Sequence, residues 1–259
     1  MKKVARLSFW NYKALNFYGN KYRFIALKFI TPYLQSLLFI MIGKFALGDD
    51  STEFIALGNV VYILCYTTIL GIIAAVSRDR EIGILSLIYL SPIGSYRFLL
   101  SRSFAFIIDG IVTSTVSLVF FTFLFNITIS FQQFIFTVLA LIFTAVSLAC
   151  LGLFLGSLSL IFKNAETLSN VTILLFSFIC GVNFPVEKLP LLLWNISEML
   201  PLTHGIDAVR LIFLGESIEV LGLKLLGVLF CGVPYFLLSV ILFKRIESSA
   251  RKKSTLDLM

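Results

Sequence analysis

Six apolar runs, separated by short hydrophilic connections whose charge alternates in sign, constrain this chain more than any other feature. The runs are Phe29–Leu47, Phe54–Val76, Phe98–Phe125, Phe134–Phe162, Leu168–Phe184 and Val220–Phe243. A helix needs about 20 apolar residues to cross roughly 30 Å of hydrocarbon. Regular apolar/polar alternation, the mark of barrel strands, is absent from all six. The expected fold class is therefore all-α integral membrane protein, with six transmembrane helices. Composition agrees: 59% of the 259 residues are hydrophobic, 27 are phenylalanine, and only 14% are charged. The mean hydropathy is +0.99, whereas soluble domains hold about 25% charged residues. A soluble chain of this length has no core large enough to bury that much apolar surface.

The formal net charge of +7 does not imply nucleic acid, because the basic residues lie between apolar runs rather than in one patch. Lys2, Lys3, Arg6, Lys13, Lys21, Arg23 and Lys28 precede the first run. Arg78, Arg80, Arg97 and Arg102 flank the second connection, Lys163 lies in the fourth, and Lys244, Arg245, Arg251, Lys252 and Lys253 follow the last run. Together these segments hold 17 of the 21 basic residues. The intervening connections carry Asp49, Asp50 and Glu53, then Glu187, Glu198, Asp207, Glu216 and Glu219. Basic connections stay in the cytoplasm, which puts both termini there and the acidic connections outside. Lys28 and Lys44 bracket the first run, where their stems reach the headgroups, and Pro32 falls in its first turn, where no backbone donor is needed.

Three segments are more than simple spans. In residues 1–23, Val4, Leu7, Ala14, Leu15 and Tyr18 share one side of a helix while Lys2, Arg6, Lys13, Asn16 and Asn20 share the other. That pattern fits an amphipathic helix lying in the interface; a basic flank that only sets topology is the plainer alternative. Ser77–Tyr96 is too long for a turn. It opens on Arg78, Asp79, Arg80 and Glu81, continues through Gly83, Leu85, Leu87, Ile88 and Leu90, and ends at Ser91-Pro92. A short cytoplasmic helix of this kind suits docking into a partner's groove, or lies on lipid. The third segment, 184–213, is cut by Pro185, Pro190 and Pro201 into pieces too short to cross. Such pieces are expected as re-entrant or interfacial helices, where protein or water satisfies the broken backbone.

The second and third segments resemble the permease subunits of ATP-binding cassette transporters, in the type 2 exporter family. The family's inner connection follows a pattern close to E-R-G-T-L-E-x-L-x-x-[ST]-P, matched here by Glu81, Gly83, Leu85, Leu87, Ser91 and Pro92, with Ile84 and Ser86 departing from it. Its outer signature, F-P-x-x-x-L-P then L-P-x-T and an arginine, is matched by Phe184-Pro185, Leu189-Pro190, Leu200-Pro201, Thr203 and Arg210. The resemblance implies that Arg80, Glu81, Gly83, Leu85, Leu87, Ser91 and Pro92 dock a cytoplasmic ATPase. It implies that Phe184, Pro185, Pro190, Pro201 and Arg210 form an outer gate. It also implies a second permease chain, identical or related, and a bacterial plasma membrane. The chain has no G-x-x-x-x-G-K-[ST] loop, so ATP and Mg are expected in the partner ATPase and no cofactor in this chain.

Asp109 is the one acid well inside a span, with Thr113, Ser114, Thr115 and Ser117 after it. An intramembrane carboxylate is read as functional by default, so Asp109 and Thr113 are candidates for the substrate path, against a structural pairing role. His204, the sole histidine, is expected as a surface or capping residue. The four cysteines lie in apolar runs without metal-ligand spacing, so no metal site and no catalytic constellation is expected. The implied function is ATP-driven export of a drug-like, lipid-like or antimicrobial peptide amphiphile. The alternatives are export of a polysaccharide or lipid-linked glycan, or a stand-alone channel or secondary carrier.

Overall fold

A computed structural model describes residues 30–48, 50–83, 95–162 and 164–253. Among these residues all regular structure is helical: α1 (Thr31–Leu47), α2 (Asp50–Glu81), α3 (Ser95–Leu124), α4 (Phe131–Ser159), α5 (Ala165–Ile179), α6 (Leu191–Glu198), α7 (Pro201–Leu214) and α8 (Ile218–Lys253), with a 3-10 turn at Val186–Lys188. The expected amphipathic helix at 1–23 lies outside the described residues, as do residues 84–94.

Four of these helices, α2, α3, α4 and α8, are long and apolar enough to cross a membrane. Among the described residues the other two expected spans are shorter than this length. Among the described residues α1 has 17 residues and α5 has 15, which gives about 26 and 23 Å at 1.5 Å per residue. Helix α5 stops before the expected Phe184 because Gly181 takes a left-handed φ of +70°, which the chain uses to turn out of the helix. In contrast, α2 and α8 overrun their expected ends. Ser77–Glu81 continues α2, and Ser95 and Tyr96 already belong to α3, so the inner connection is narrower at both ends than 77–96. The basic residues Lys244 to Lys253 extend α8 as helix, although Pro234 lies inside it.

Helix starts follow local chemistry. Ser130 caps α4 in a reciprocal box, its hydroxyl accepting from the Gln133 amide while the Gln133 side chain accepts from the Ser130 amide; two orphan donors are satisfied at once. Asn164 caps α5 by accepting from the Thr167 amide at 3.2 Å.

Helix α2 is the centre of the bundle. Two thirds of its most apolar stretch is buried (67%), against 22% for α8; its neighbours are α1, α3, α4, α5 and α7. An apolar face all the way round is what such a central position demands. Along the half of α2 nearest Glu81, α4 approaches closely through Gly152 and Gly156. A Cβ on Gly152 would stand 3.0 Å from Ile72 Cδ1, and one on Gly156 3.2 Å from Val76 Cγ2. This G-x-x-x-G spacing lets two helices pack by backbone approach where lipid supplies no hydrophobic drive between them. Ile72, Val76, Leu153, Phe106 and Phe243 close the core at this end.

The chain direction sorts the ends of the bundle. Helices α6 and α7 cover the end where α2 begins and α4 begins. Arg78, Arg80, the end of α4 and the basic end of α8 share the opposite one.

Replacing Gly152 with Leu is expected to wedge α2 from α4 and cost about 1–3 kcal/mol, the usual scale of overpacking. Denaturant unfolding of the purified protein should show a lowered midpoint, with Gly156→Ala giving a smaller shift.

Candidate functional site

The segment between α5 and α8 folds into a cover over the start of α2. Its first element is the turn after Cys180. Gly181 reverses the chain, and Asn183 Oδ1 accepts a hydrogen bond from Asn59 Nδ2 of α2 at 3.0 Å. Phe184 and Pro185 follow, both half-buried, with the Phe184 ring edge-on to Phe178 at 6.3 Å. Pro190 stands immediately before α6 and is exposed, whereas Pro201 is the buried first residue of α7, where proline's missing donor is no loss.

Helices α6 and α7 are held to each other by side chains at the break between them. Ser197 and Thr203 hydroxyls lie 3.0 Å apart. His204 Nε2 donates to the Glu198 carbonyl at 2.8 Å, satisfying one of the orphan acceptors at the end of α6. Helix α8 also holds the cover: Tyr235 donates to the Met199 carbonyl at 3.2 Å, and Lys224 Nζ is 3.4 Å from Asp207 Oδ2.

Arg210 is the centre of the cover. It is 8% exposed, and its guanidinium donates from Nε and Nη2 to the Phe54 carbonyl at 3.3 and 3.2 Å and from Nη2 to the Val182 carbonyl at 3.0 Å. Its Cζ sits 3.3 Å from the centroid of the Phe54 ring, a cation–π contact that gains from being shielded from water. Burial pushes its pKa down to about 10, opposed by the carboxylates of Asp207 and Glu187, so it keeps its charge at neutral pH. The approach leaves no room on α2: a Cβ on Gly58 would collide with the Val182 carbonyl and come within 2.8 Å of Arg210 Nη2. One side chain thus joins α7, the Gly181 turn and the first turns of α2. Of the five residues expected at this gate, Arg210 makes this junction, through Val182 rather than through Phe184 itself.

At the opposite end of the bundle, only Arg80, Glu81 and Gly83 of the expected docking set lie among the described residues; Leu85, Leu87, Ser91 and Pro92 do not. Glu81 is exposed and accepts from the Ser77 hydroxyl at 3.4 Å. Gly83 turns the chain with a φ of +74°. Arg80 reaches across to α4, where its Nη1 donates to the carbonyls of Ser159, Leu160 and Phe162 at 3.4, 3.3 and 2.7 Å.

Within α3, Asp109 is half-buried and Thr113 is 1% exposed. The Thr113 hydroxyl donates to the Asp109 carbonyl at 2.7 Å, and Tyr33 of α1 donates to the Thr113 carbonyl at 3.1 Å. Thr113 therefore serves contacts within and between helices, and the next residue after Asp109, Gly110, packs against Thr68 and Leu64 of α2. The sequence reading missed two elements that shape these sites. Gly152 and Gly156 carried a readable signal in their spacing; Gly58 did not, because its need for a hydrogen side chain comes from a partner 124 residues away.

Arg210→Met should remove the donor to the Val182 carbonyl and cost about 1–3 kcal/mol, the penalty of a buried acceptor left without its partner. Arg210→Lys should recover only part of the loss, because an ammonium lacks the fork that serves two carbonyls at once. Unfolding midpoints of the three purified proteins, ordered Arg, Lys, Met, check this.

A family model described as ABC-2 type transporter matches residues 7–214. Over 71 residues the chain is 39% identical to nodulation protein J of Rhizobium meliloti (strain 1021), a stretch covering 27% of this chain and 27% of that protein. The chain thus spans about a quarter of the length of the curated relative it matches. The family match takes in the inner connection, the four-residue Gly58–Val182–Arg210–Phe54 junction and the cover up to the end of α7. With well over half of its length matched, the chain belongs to the ABC-2 type transporter family, the membrane-spanning subunits of ATP-binding cassette transporters.

Proposed function

We propose that the chain is the permease subunit of an ATP-driven exporter, docking a cytoplasmic ATPase at the Arg80 end of the bundle and closing its outer side with α6 and α7. The observation that carries this reading is the separation of the two ends. Arg78, Arg80 and the basic turns of α8 gather at one end, and the proline-broken cover with Glu187, Glu198, Glu216 and Glu219 lies at the other. Lys and Arg are retained on the cytoplasmic side, so the Arg80 end faces the ATPase and the cover faces outwards. On this reading both termini are cytoplasmic, α1 and α5 complete a six-span bundle, and a second permease chain completes the path.

The docking contact is proposed for Glu81, Gly83, Leu85, Leu87, Ser91 and Pro92; Arg80 is left out of it because its guanidinium is engaged on α4. ATP and Mg belong to the partner, since the chain lacks a phosphate-binding loop of its own. The transported molecule is proposed to be an amphiphile. A path between two permease chains would run past the apolar faces of these helices, and Asp109 with Thr113 is its candidate polar contact. A lipid-linked glycan or polysaccharide carried by the same mechanism is the other substrate class.

In cells carrying a variant without Cys150 and Cys231, a thiol placed at exposed Ile82 should react with an impermeant reagent only from the cytoplasm, and one at exposed Lys188 only from outside. Reversed labelling removes the orientation on which the reading stands. Leu85→Asp should leave the protein in the membrane while reducing co-purified ATPase at least tenfold; full recovery of the ATPase with this variant excludes the proposed docking contact.

A further inference from the structure

Arg80 is placed to do something other than touch a soluble partner. Its Nη1 lies on the carbonyls of Ser159, the last residue of α4, of Leu160, its C-cap, and most closely of Phe162 in the turn that follows. The last carbonyls of a helix have no partner within it, and they carry the negative end of its dipole, where a cation is favoured. Arg80 therefore caps a helix to which it does not belong. It does so one residue before α2 ends and three before the Gly83 turn, where the chain leaves for the inner connection.

The contact closes a frame. At the Arg80 end, α2 is joined to α4 by this cap and by the Gly152 and Gly156 approach to Ile72 and Val76. Halfway along, α4 meets the cover, because a Cβ on Gly205 of α7 would run into Thr144 of α4. At the far end, α7 returns to α2 through Arg210 on Phe54 and Val182. The three helices α2, α4 and α7 thus form a closed triangle, and two of its corners are held by arginines on main-chain carbonyls. Close-packed elements of this kind move together instead of deforming individually. With the Arg80 corner intact, a displacement applied where α2 ends reaches α7 by two routes, along α2 to Arg210 and through α4 to Gly205. With that corner released, α2 and α4 are held at this end by the Gly152 and Gly156 packing alone, with no polar bond to fix their register.

We propose that Arg80 is a positioning residue that locks α2 to α4, so that motion at the inner end of the bundle is delivered to the cover helix α7. The proposal rests on the permease reading above, and it assigns Arg80 to transmission rather than to docking.

The test uses the full permease with its ATPase, in the background lacking Cys150 and Cys231 and carrying Lys188→Cys in the cover. Thiol labelling of that cysteine is followed with and without ATP and vanadate, alongside membrane abundance and the amount of ATPase that co-purifies. Arg80→Met should keep abundance and co-purified ATPase within twofold of the parent, while the ATP-dependent change in labelling rate falls at least fivefold. Arg80→Lys, which can still donate to a carbonyl of α4, should retain at least a third of the parental change. An unchanged labelling response in Arg80→Met overturns the proposal. So does a fivefold loss of co-purified ATPase, which makes Arg80 a docking residue, and so does disappearance of both variants from the membrane, which makes it a folding element alone. A parent that binds no ATPase, or whose cover does not respond, refutes the permease reading itself before any variant is compared.

Discussion

Inside hydrocarbon a main-chain amide or carbonyl has no water to bond, and each one left unsatisfied costs several kcal/mol. Helices meet the requirement along their length but leave four donors and four acceptors open at each end. Much of the polar chemistry described in this protein answers that demand. Ser130 and Gln133 close the start of α4, Asn164 the start of α5, and His204 the end of α6. Arg80 closes the end of α4 and Arg210 takes the Phe54 and Val182 carbonyls. Where the chain breaks its helices, between α5 and α8, these side chains are densest.

The two arginines differ from these local caps because they reach between elements far apart in the chain. An ordinary cap stabilises its own helix. Arg80 and Arg210 donate to carbonyls on other segments, 79 to 82 and 28 to 156 residues away, so their bonds fix how α2, α4 and α7 stand against one another. Arginine is suited to this, because a planar fork with several donors serves more than one acceptor while staying charged. The small residues do the complementary work. Gly58, Gly152, Gly156 and Gly205 let backbones come close enough for the arginines to reach across, in a setting where van der Waals contact and hydrogen bonds replace the hydrophobic drive between helices.

Much of this architecture was legible in the residues. Long apolar runs predicted membrane helices, and α2, α3, α4 and α8 have the required length and apolarity. The prolines at 185, 190 and 201 predicted a broken cover, and the structure has a 3-10 turn and two short helices there. The inner and outer signatures pointed to the family whose model matches residues 7–214. Boundaries were read less well. Nothing in the run Ser77–Glu81 marks a stop, since charged residues at the end of a membrane helix leave it helical once it reaches water. The end of α5 was placed too late because an apolar sequence through Cys180–Val182 hides the left-handed turn at Gly181.

The sequence by itself determined the solvent this chain is built for, the class of structure that solvent permits, and the sites where helices must break, because apolar length and proline position act locally along the chain. Only the tertiary structure decided the partners of Arg80 and Arg210. In the sequence Arg80 reads as one of four charges that open the inner connection, a docking residue by resemblance, and Arg210 as the arginine that ends the outer signature. Their acceptors are main-chain carbonyls, which every residue carries alike. No residue type therefore announces the pairing, and the packing of α2 against α4 and α7 alone selects it.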